Sequence, residues 1–171
     1  MTEIVECRRR ADFEEVARLL REMAEWDVAE TSALGVPADD LIPLYYSDGV
    51  DALMAKFSGV SGSLRLARAG DRVLGCIAVF RIDDDLAEIR KLFVRPQARG
   101  MGIGRALLAG ALQEICSRGF ARVRLVTATF MTGAIAIYHE FGFVDCEPFY
   151  PSPDHLGPIT LFMQRELGGD G

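Results

Sequence analysis

The chain has 171 residues and a formal net charge of −6, half of its residues are hydrophobic, and 26% are charged. These values are typical of one soluble globular domain, which we expect at residues 4–167, followed by a flexible tail at 168–171. No apolar run reaches the roughly 20 residues that span a bilayer, and the N-terminus lacks the apolar centre of a secretory signal. We therefore expect a cytoplasmic protein without a membrane partner. The acidic balance also argues against a nucleic-acid partner, which requires a broad positive surface.

The charge is distributed unevenly along the chain. Residues 1–60 contain 13 acidic and six basic residues, whereas residues 90–105 contain five basic residues and no acidic one. Because no acid lies within that segment, we expect its five bases to be uncompensated and to favour a compact anionic ligand. They are Arg90, Lys91, Arg95, Arg99 and Arg105.

The first elements are a short strand and two helices. Residues 3–9 alternate weakly, as in an edge strand. Asp12, with Glu15 three residues later, resembles a capping box, and the apolar residues that follow recur at spacings of three and four. We therefore predict a long helix from Asp12 and, after a loop, a shorter helix at 50–57.

Three strands are predicted next, at 63–69, 72–82 and 86–94. The first two flank Gly70-Asp71, which is a hairpin signal, and the third ends before Pro96. The remaining elements are a helix at 103–118, a strand at 122–126, a helix at 132–141, a weakly marked strand at 143–146 and a last strand at 159–165. This order, β-α-α-β-β-β-α-β-α-β-β, predicts an α/β fold with a largely antiparallel sheet flanked by helices.

The chain has four cysteines, separated by 69, 40 and 30 residues: Cys7, Cys76, Cys116 and Cys146. They form no CxxC pair, and no histidine lies at the spacing of a metal site. We predict that all four are buried thiols and that the chain has no metal site.

A glycine-rich turn separates the strand at 86–94 from the helix at 103–118. Gly100, Gly102 and Gly104 allow close approach of a ligand and positive φ angles, and the helix start offers unpaired N–H groups. Leu107 stands where a dinucleotide fold has its third glycine, and no Gly-Lys-Ser/Thr follows. The turn is therefore a phosphate-binding loop of another class, or simply a flexible loop.

Two segments resemble the GNAT superfamily of N-acetyltransferases. The turn, Gln97-Ala-Arg-Gly100-Met-Gly102, resembles the family signature Gln/Arg-x-x-Gly-x-Gly/Ala. Independently, Ala134-Ile-Ala-Ile-Tyr138-His-Glu-Phe-Gly142-Phe143 resembles a tyrosine-containing helix of the family. The similarity covers roughly Ile4 to Leu167, and Glu147-Pro148-Phe149 is similar to a subgroup of small bacterial members. It implies the GNAT fold.

The resemblance also implies acetyl-CoA as the co-substrate, with no metal. In this family the pyrophosphate lies over the turn, and the pantetheine arm pairs with the preceding strand, where a bulge usually splays the sheet. A backbone N–H of that strand would stabilise the thioester oxyanion. Met131 departs from the pattern, because the family often has asparagine there. The implied cofactor-binding residues are Leu92, Phe93, Val94, Arg99, Gly100, Met101, Gly102, Ile103, Gly104 and Arg105.

For catalysis, the resemblance implies direct acetyl transfer in a ternary complex to a primary amine of a small molecule or peptide. It assigns Glu88 as the proton acceptor for the amine and Tyr138 as the proton donor to the CoA thiolate. From the residues alone, Glu88 could instead be a solvated or salt-bridged group, and Tyr138 could belong to the core. His139 and His155 are predicted to be surface residues rather than bases.

We expect the acceptor to bind against the helices of residues 12–58 and the loop at 148–158. The acidic balance of these segments indicates either a cationic acceptor or solvated helix faces. An alternative is a non-catalytic acyl-CoA-binding regulatory domain, which would keep the phosphate site without requiring Glu88 or Tyr138. A homodimer is compatible with the family, although no residue specifies it. Five aromatic residues could form walls of the acceptor site or could belong to the core: Trp26, Tyr45, Tyr46, Phe149 and Tyr150.

Overall fold

The computed structural model describes residues 1–37, 48–153 and 156–168. Its elements follow the predicted order, which confirms the mixed α/β fold. The helices are α1 (Arg10–Ser32), α2 (Val50–Lys56), α3 (Ile103–Ser117) and α4 (Thr132–Glu140). The strands are β1 (Glu3–Glu6), β2 (Gly62–Ala69), β3 (Arg72–Arg81), β4 (Leu86–Val94), β5 (Arg122–Ala128), β6 (Val144–Asp145) and β7 (Thr160–Glu166).

The seven strands form one sheet in the order β1-β2-β3-β4-β5-β7-β6. All neighbouring pairs are antiparallel except β4 and β5, which run parallel. Successive residues of a strand point to opposite faces, and β3 is buried on both. Ile77 and Val79 pack in the cluster that contains α3, whereas Cys76 and Ala78 pack in the cluster that contains α1 and α2. Helices therefore cover both faces of the sheet.

Helix α1 begins at Arg10, two residues before the predicted start. Asp12 lies in the first turn, and its carboxylate accepts the backbone N–H groups of Arg8 at 3.1 Å and Arg9 at 3.0 Å. Asp12 thus caps the helix from inside its first turn, as the acidic member of a capping box does. The prediction of Asp12 as the first residue of a box with Glu15 is wrong.

The prediction that all four cysteines are buried is wrong for two of them. Cys7 and Cys76 are buried, whereas Cys116 is exposed and Cys146 is partly exposed. Cys116 follows the buried Ile115 on α3, and one residue turns a helix by about 100°, away from the apolar face. Cys146 directly follows β6, whose two residues are exposed at the edge of the sheet.

Candidate active site

The sheet opens between β4 and β5. These strands pair from Leu86 opposite Arg122 to Ile89 opposite Leu125, and the described pairing stops there. On the other side of β4, the register with β3 shifts so that Lys91 and Leu92 both lie opposite Ile77. This two-against-one arrangement is a β-bulge, and Lys91 has a φ of +59° within it. The bulge bends β4 away from β5 and leaves the edge of residues 90–94 facing the opening.

Two cavities meet in this opening. The first, of about 590 Å³, lies between α1, β4, β5 and residues 150–153 and 156–160. The second, of about 440 Å³, lies over the glycine-rich turn, between β4 and α4. Leu92, Phe130 and Met131 line both cavities and mark their junction. The junction therefore connects the predicted cofactor segment with the predicted acceptor segments.

Nine of the ten cofactor-binding residues implied by the resemblance line the second cavity. The exception is Met101, which is 68% exposed and is not part of the cavity wall. The structure thus brings the open edge of β4 and the start of α3 to one site.

The glycine-rich turn has a conformation that other residues would strain. Gly100 and Gly102 have φ angles of +79° and +78°, and Gly102 is the residue that caps the N-terminus of α3. At Gly104, a Cβ atom would lie 3.2 Å from Cδ1 of Ile137, so the missing side chain lets α3 and α4 approach closely. The first N–H groups of α3 have no acceptor within the helix, and the positive end of its dipole faces the cavity.

The expectation of five uncompensated bases at 90–105 is wrong, because four of them are paired with carboxylates. Glu88 lies just before the segment and the other three carboxylates come from distant parts of the chain, so counting charges within the segment could not find them. Only Arg99 and Arg105 of the five line the second cavity. The four ion pairs are Arg90–Glu88, Lys91–Asp48, Arg95–Glu22 and Arg105–Glu140.

Arg99 has a different environment. Its guanidinium lies 4.6 Å from the centre of the Trp26 ring, and its Nε donates to the carbonyl oxygen of Val94 at 3.0 Å. The Trp26 ring in turn lies 5.9 Å from that of Phe130. Trp26 therefore lines the second cavity rather than the first. Its ring makes a cation–π contact with Arg99 of the glycine-rich turn.

The other aromatic residues considered for the acceptor site do not lie together. Tyr150 lines the first cavity, as predicted. Phe149 lines neither cavity, because its ring packs against Phe162 at 4.8 Å and under the Arg124 guanidinium at 4.1 Å. Tyr45, Tyr46, His155 and the tail at 169–171 lie outside the described residues.

Glu88 lies in the first cavity and is 4% exposed. Its carboxylate accepts Nε of Arg90 at 2.8 Å, Nε of Arg124 at 2.9 Å and the hydroxyl of Tyr150 at 2.8 Å. Arg124 also donates to the Tyr150 hydroxyl at 2.9 Å. The sequence did not single out Arg124, although strand alternation separates it from the apolar Val123 and Leu125. Three hydrogen bonds therefore hold the Glu88 carboxylate in place where the pairing of β4 with β5 ends.

Tyr138 lies on α4 and is 5% exposed. Its ring packs edge-on against Phe143 at 5.7 Å, and the residue lines the first cavity. Burial raises the pKa of its hydroxyl above the ordinary value, so the hydroxyl stays protonated at neutral pH. His139, the next residue, is exposed and lies 3.4 Å from a carboxylate oxygen of Asp145, outside both cavities.

The sequence prediction missed Asp27, a buried carboxylate of α1 that lines the first cavity. Burial raises its pKa to about 7; the positive charge of Arg99 lowers this pKa and the negative charge of Glu30 raises it. A sequence signal for this residue exists. Asp27 follows Leu20 and Ala24 at helical spacing, so it occupies an apolar position of the helix.

Among the described residues, no group of histidine, cysteine and acidic side chains is arranged to hold a metal ion. None of the helices described is long and apolar enough to cross a membrane.

The family model for the acetyltransferase (GNAT) family matches residues 18–143. The chain belongs to the GNAT family. The IAA acetyltransferase of Azospirillum brasilense is 38% identical over 105 residues, which are 60% of this chain and 66% of that protein. The match therefore spans just under two thirds of the relative's length.

Solved structures show the same fold. The PaiA N-acetyltransferase of Thermoplasma acidophilum, in complex with coenzyme A, has a TM-score of 0.76 at 20% identity, covering 98% of this chain and 99% of that one. A GNAT acetyltransferase of Elizabethkingia anophelis with acetyl-CoA bound has a TM-score of 0.56 at 23% identity, covering 77% and 91%. These structures confirm the GNAT fold, and the family match agrees with the predicted N-acyltransferase class.

Proposed function

We propose that residues 4–167 form one cytoplasmic N-acetyltransferase domain, which transfers the acetyl group of acetyl-CoA directly to a primary amine of a small molecule or peptide. The observation that carries this proposal is the junction of two cavities at Leu92. One cavity has the features of a phosphate site, and the other contains the titratable groups that acyl transfer requires. Acetyl-CoA would enter from the second cavity and the amine from the first.

Cofactor binding would use the turn and the open strand edge. The pyrophosphate would accept the N–H groups at the start of α3 and the side chains of Arg99 and Arg105. The Arg105–Glu140 pair is about half exposed on both sides, so it stabilises the protein little and a phosphate can replace Glu140. The pantetheine arm would pair with residues 90–94 as an added strand, which brings the thioester to Leu92.

The transfer itself would proceed in one displacement. The lone pair of the amine attacks the thioester carbon, and a backbone N–H of β4 near the bulge stabilises the oxyanion. The C–S bond then breaks, and the CoA thiolate takes the proton of the Tyr138 hydroxyl. Tyr138 lines the first cavity, and its hydroxyl is protonated at neutral pH, as a proton donor must be.

Glu88 is the proposed proton acceptor for the amine. Its carboxylate is engaged by three donors, so one of them must yield before a substrate proton can bind. Tyr150 is the donor best placed to move. It is 38% exposed and lies after the paired residues of β6, outside the strands of the sheet. Arg90 and Arg124 are held on paired strands and would keep the carboxylate in place.

The cysteines support direct transfer rather than an acetyl-cysteine intermediate. Burial raises the pKa of Cys7 and of Cys76 to about 12, so neither forms much thiolate at neutral pH. None of the four cysteines lines either cavity.

The test is a screen of primary amines with acetyl-CoA that follows release of the free CoA thiol. Calorimetry measures acetyl-CoA binding to the same preparation. We expect both binding and amine-dependent thiol release. Binding without release for any amine would replace the proposed enzyme by a regulatory acyl-CoA-binding domain, whereas no binding would reject the cofactor site.

A further inference from the structure

The two lysines of the chain lie together in the first cavity. The chain has 19 lysine and arginine residues, of which only Lys56 and Lys91 are lysines. Both line the first cavity, and both contact the carboxylate of Asp48, Lys56 at 2.8 Å and Lys91 at 3.6 Å. Arginine is not deprotonated in proteins, so these two residues carry all of the side-chain primary amines of the chain. The proposed acceptor cavity therefore contains primary amines that belong to the protein itself.

Lys91 is the lysine that lies beside the proposed reaction. It directly precedes Leu92, which lines both cavities and to which the thioester would be brought. Lys91 has a φ of +59° within the bulge of β4, and the thiol of Cys76 donates to its carbonyl oxygen at 3.2 Å. Its flexible four-carbon side chain therefore starts from a fixed backbone, one residue from the junction. Lys56, in contrast, lies at the end of α2.

The amine of Lys91 is largely shielded from water. Its side chain is 12% exposed, whereas that of Lys56 is 46% exposed, and its Nζ lies 5.9 Å from the centre of the Phe57 ring. Burial lowers the pKa of Lys91, and the negative charge of Asp48 opposes this effect without cancelling it. Lys91 therefore has a larger fraction of neutral, nucleophilic amine than a lysine in water.

We propose that Lys91 is a self-acetylation site, whose amine takes the acetyl group of the acetyl-CoA bound to the same chain when no acceptor fills the first cavity. The inference rests on the proposed function, since it uses the same cofactor site and the same junction. Because the amine and the thioester are held in one complex, the reaction gains the high effective concentration of an intramolecular step.

The step is an aminolysis of the thioester. Lys91 first releases its ammonium proton to water and turns from Asp48 to the junction. The lone pair of Nζ then attacks the acetyl carbon, the C–N bond forms and the C–S bond breaks. The CoA thiolate takes the proton of the Tyr138 hydroxyl, and the proton lost by the attacking nitrogen restores that hydroxyl. The products are an uncharged acetylated Lys91 and the free CoA thiol, while Asp48 keeps Lys56 as its cation.

The test is mass spectrometry of the whole protein after incubation with acetyl-CoA alone, followed by peptide mapping. We expect the wild type to gain one acetyl group on Lys91. Lys91→Arg should lose this gain, because arginine keeps the positive charge toward Asp48 but accepts no acetyl group. Lys56→Arg is the matched variant and should keep the gain, since it changes the other lysine on the same carboxylate.

Three further measurements show whether the acetyl group comes from the bound cofactor of the same chain. With acetyl-CoA below its Kd, free CoA at about ten times its own Kd should slow the gain about tenfold, because it occupies the same site. Protein unfolded in urea should be acetylated on Lys91 at least about tenfold more slowly than folded protein. Diluting the folded protein about tenfold at constant acetyl-CoA should leave the rate constant unchanged, since the step occurs within one complex.

An unmodified Lys91 in wild type that binds acetyl-CoA overturns the inference, as does an acetyl group on Lys56 instead. It is also overturned by a gain that free CoA does not slow, that is as fast in unfolded protein, or whose rate constant falls on dilution. Amine-dependent thiol release with an unmodified Lys91 rejects this inference alone. An acetylated Lys91 without thiol release for any amine rejects the proposed external acceptor alone.

Discussion

Glu88 and Arg124 lie opposite each other on the parallel strands β4 and β5, and Nε of Arg124 donates to the carboxylate at 2.9 Å. The pairing of the two strands ends at the next residue, Ile89. This buried ion pair therefore closes the sheet at the point where it begins to open. The same ion pair therefore stabilises the edge of the opening and holds the proposed proton acceptor, Glu88, in place.

Arg124→Met should destabilise the protein, because it leaves Glu88 buried with one cation fewer. Loss of one partner of a buried ion pair costs about 3–5 kcal/mol, and we expect the lower end because Arg90 and Tyr150 remain. Urea unfolding measures the difference. Arg122→Met, at the exposed start of the same strand, is the control and should change the free energy of unfolding by less than about 0.5 kcal/mol. Equal effects of the two variants would contradict the closing role of the pair.

Glu88→Gln should lower kcat by about 10²- to 10⁴-fold, which is the usual contribution of a general base. Glu114→Gln is the control, since the partly buried Glu114 accepts hydrogen bonds from Ser63 and Arg118 outside both cavities. Both variants lose an ion pair, but only Glu88→Gln loses the proposed base. A comparable loss of kcat in the two would show that the effect of Glu88 is structural.

Arg99→Ala should weaken acetyl-CoA binding by about 10- to 100-fold, because it removes a charge-assisted hydrogen bond to the pyrophosphate. Arg105→Ala should have a smaller effect, since Arg105 must first leave Glu140. Calorimetric titration at two salt concentrations measures both. Arg72→Ala, in the exposed β2–β3 hairpin, serves as control. If all three variants bind alike, the pyrophosphate does not lie on this turn.

Asp27 should make stability dependent on pH. Its pKa in the folded protein, about 7, lies above the ordinary value of 3.8, so its contribution is most favourable below pH 4 and is lost as the pH rises through 7. Asp27→Asn should therefore gain about 2 kcal/mol of stability relative to wild type between pH 5.5 and pH 8, which is about half of the full effect of the shift. Thermal unfolding at the two pH values measures this difference. Parallel pH dependence in both proteins would contradict the buried, titrating carboxylate.

The element order could be predicted because each helix and strand has its own apolar periodicity. The same local reasoning failed where partners lie far apart in the chain. The bases at 90–105 looked uncompensated because Glu22, Asp48 and Glu140 reach them only through the fold. The position of Trp26 at the glycine-rich turn could not be predicted for a similar reason, since its neighbour Arg99 comes from the turn after β4. Asp27, in contrast, was visible in the sequence as a charge on an apolar helix face.

The bulge in β4 is neither an element that local periodicity predicts nor a side-chain contact between distant residues. The resemblance implied its place, but its residues follow no local rule, since Lys91 takes a φ of +59° without being glycine or asparagine. Register with β3 fixes it, because two residues must lie opposite Ile77. Such a bulge can be predicted only when the register of both strands is known.

The most direct test of acetyl transfer at the junction is the kcat of Tyr138→Phe, measured by CoA thiol release with an amine identified in the screen. Loss of the hydroxyl removes the proposed proton donor but keeps the ring against Phe143. We expect kcat to fall by about 10²- to 10⁴-fold while the Kd of acetyl-CoA changes little. An unchanged kcat would contradict the proposed role of Tyr138 and, with it, the placement of the reacting thioester between the two cavities.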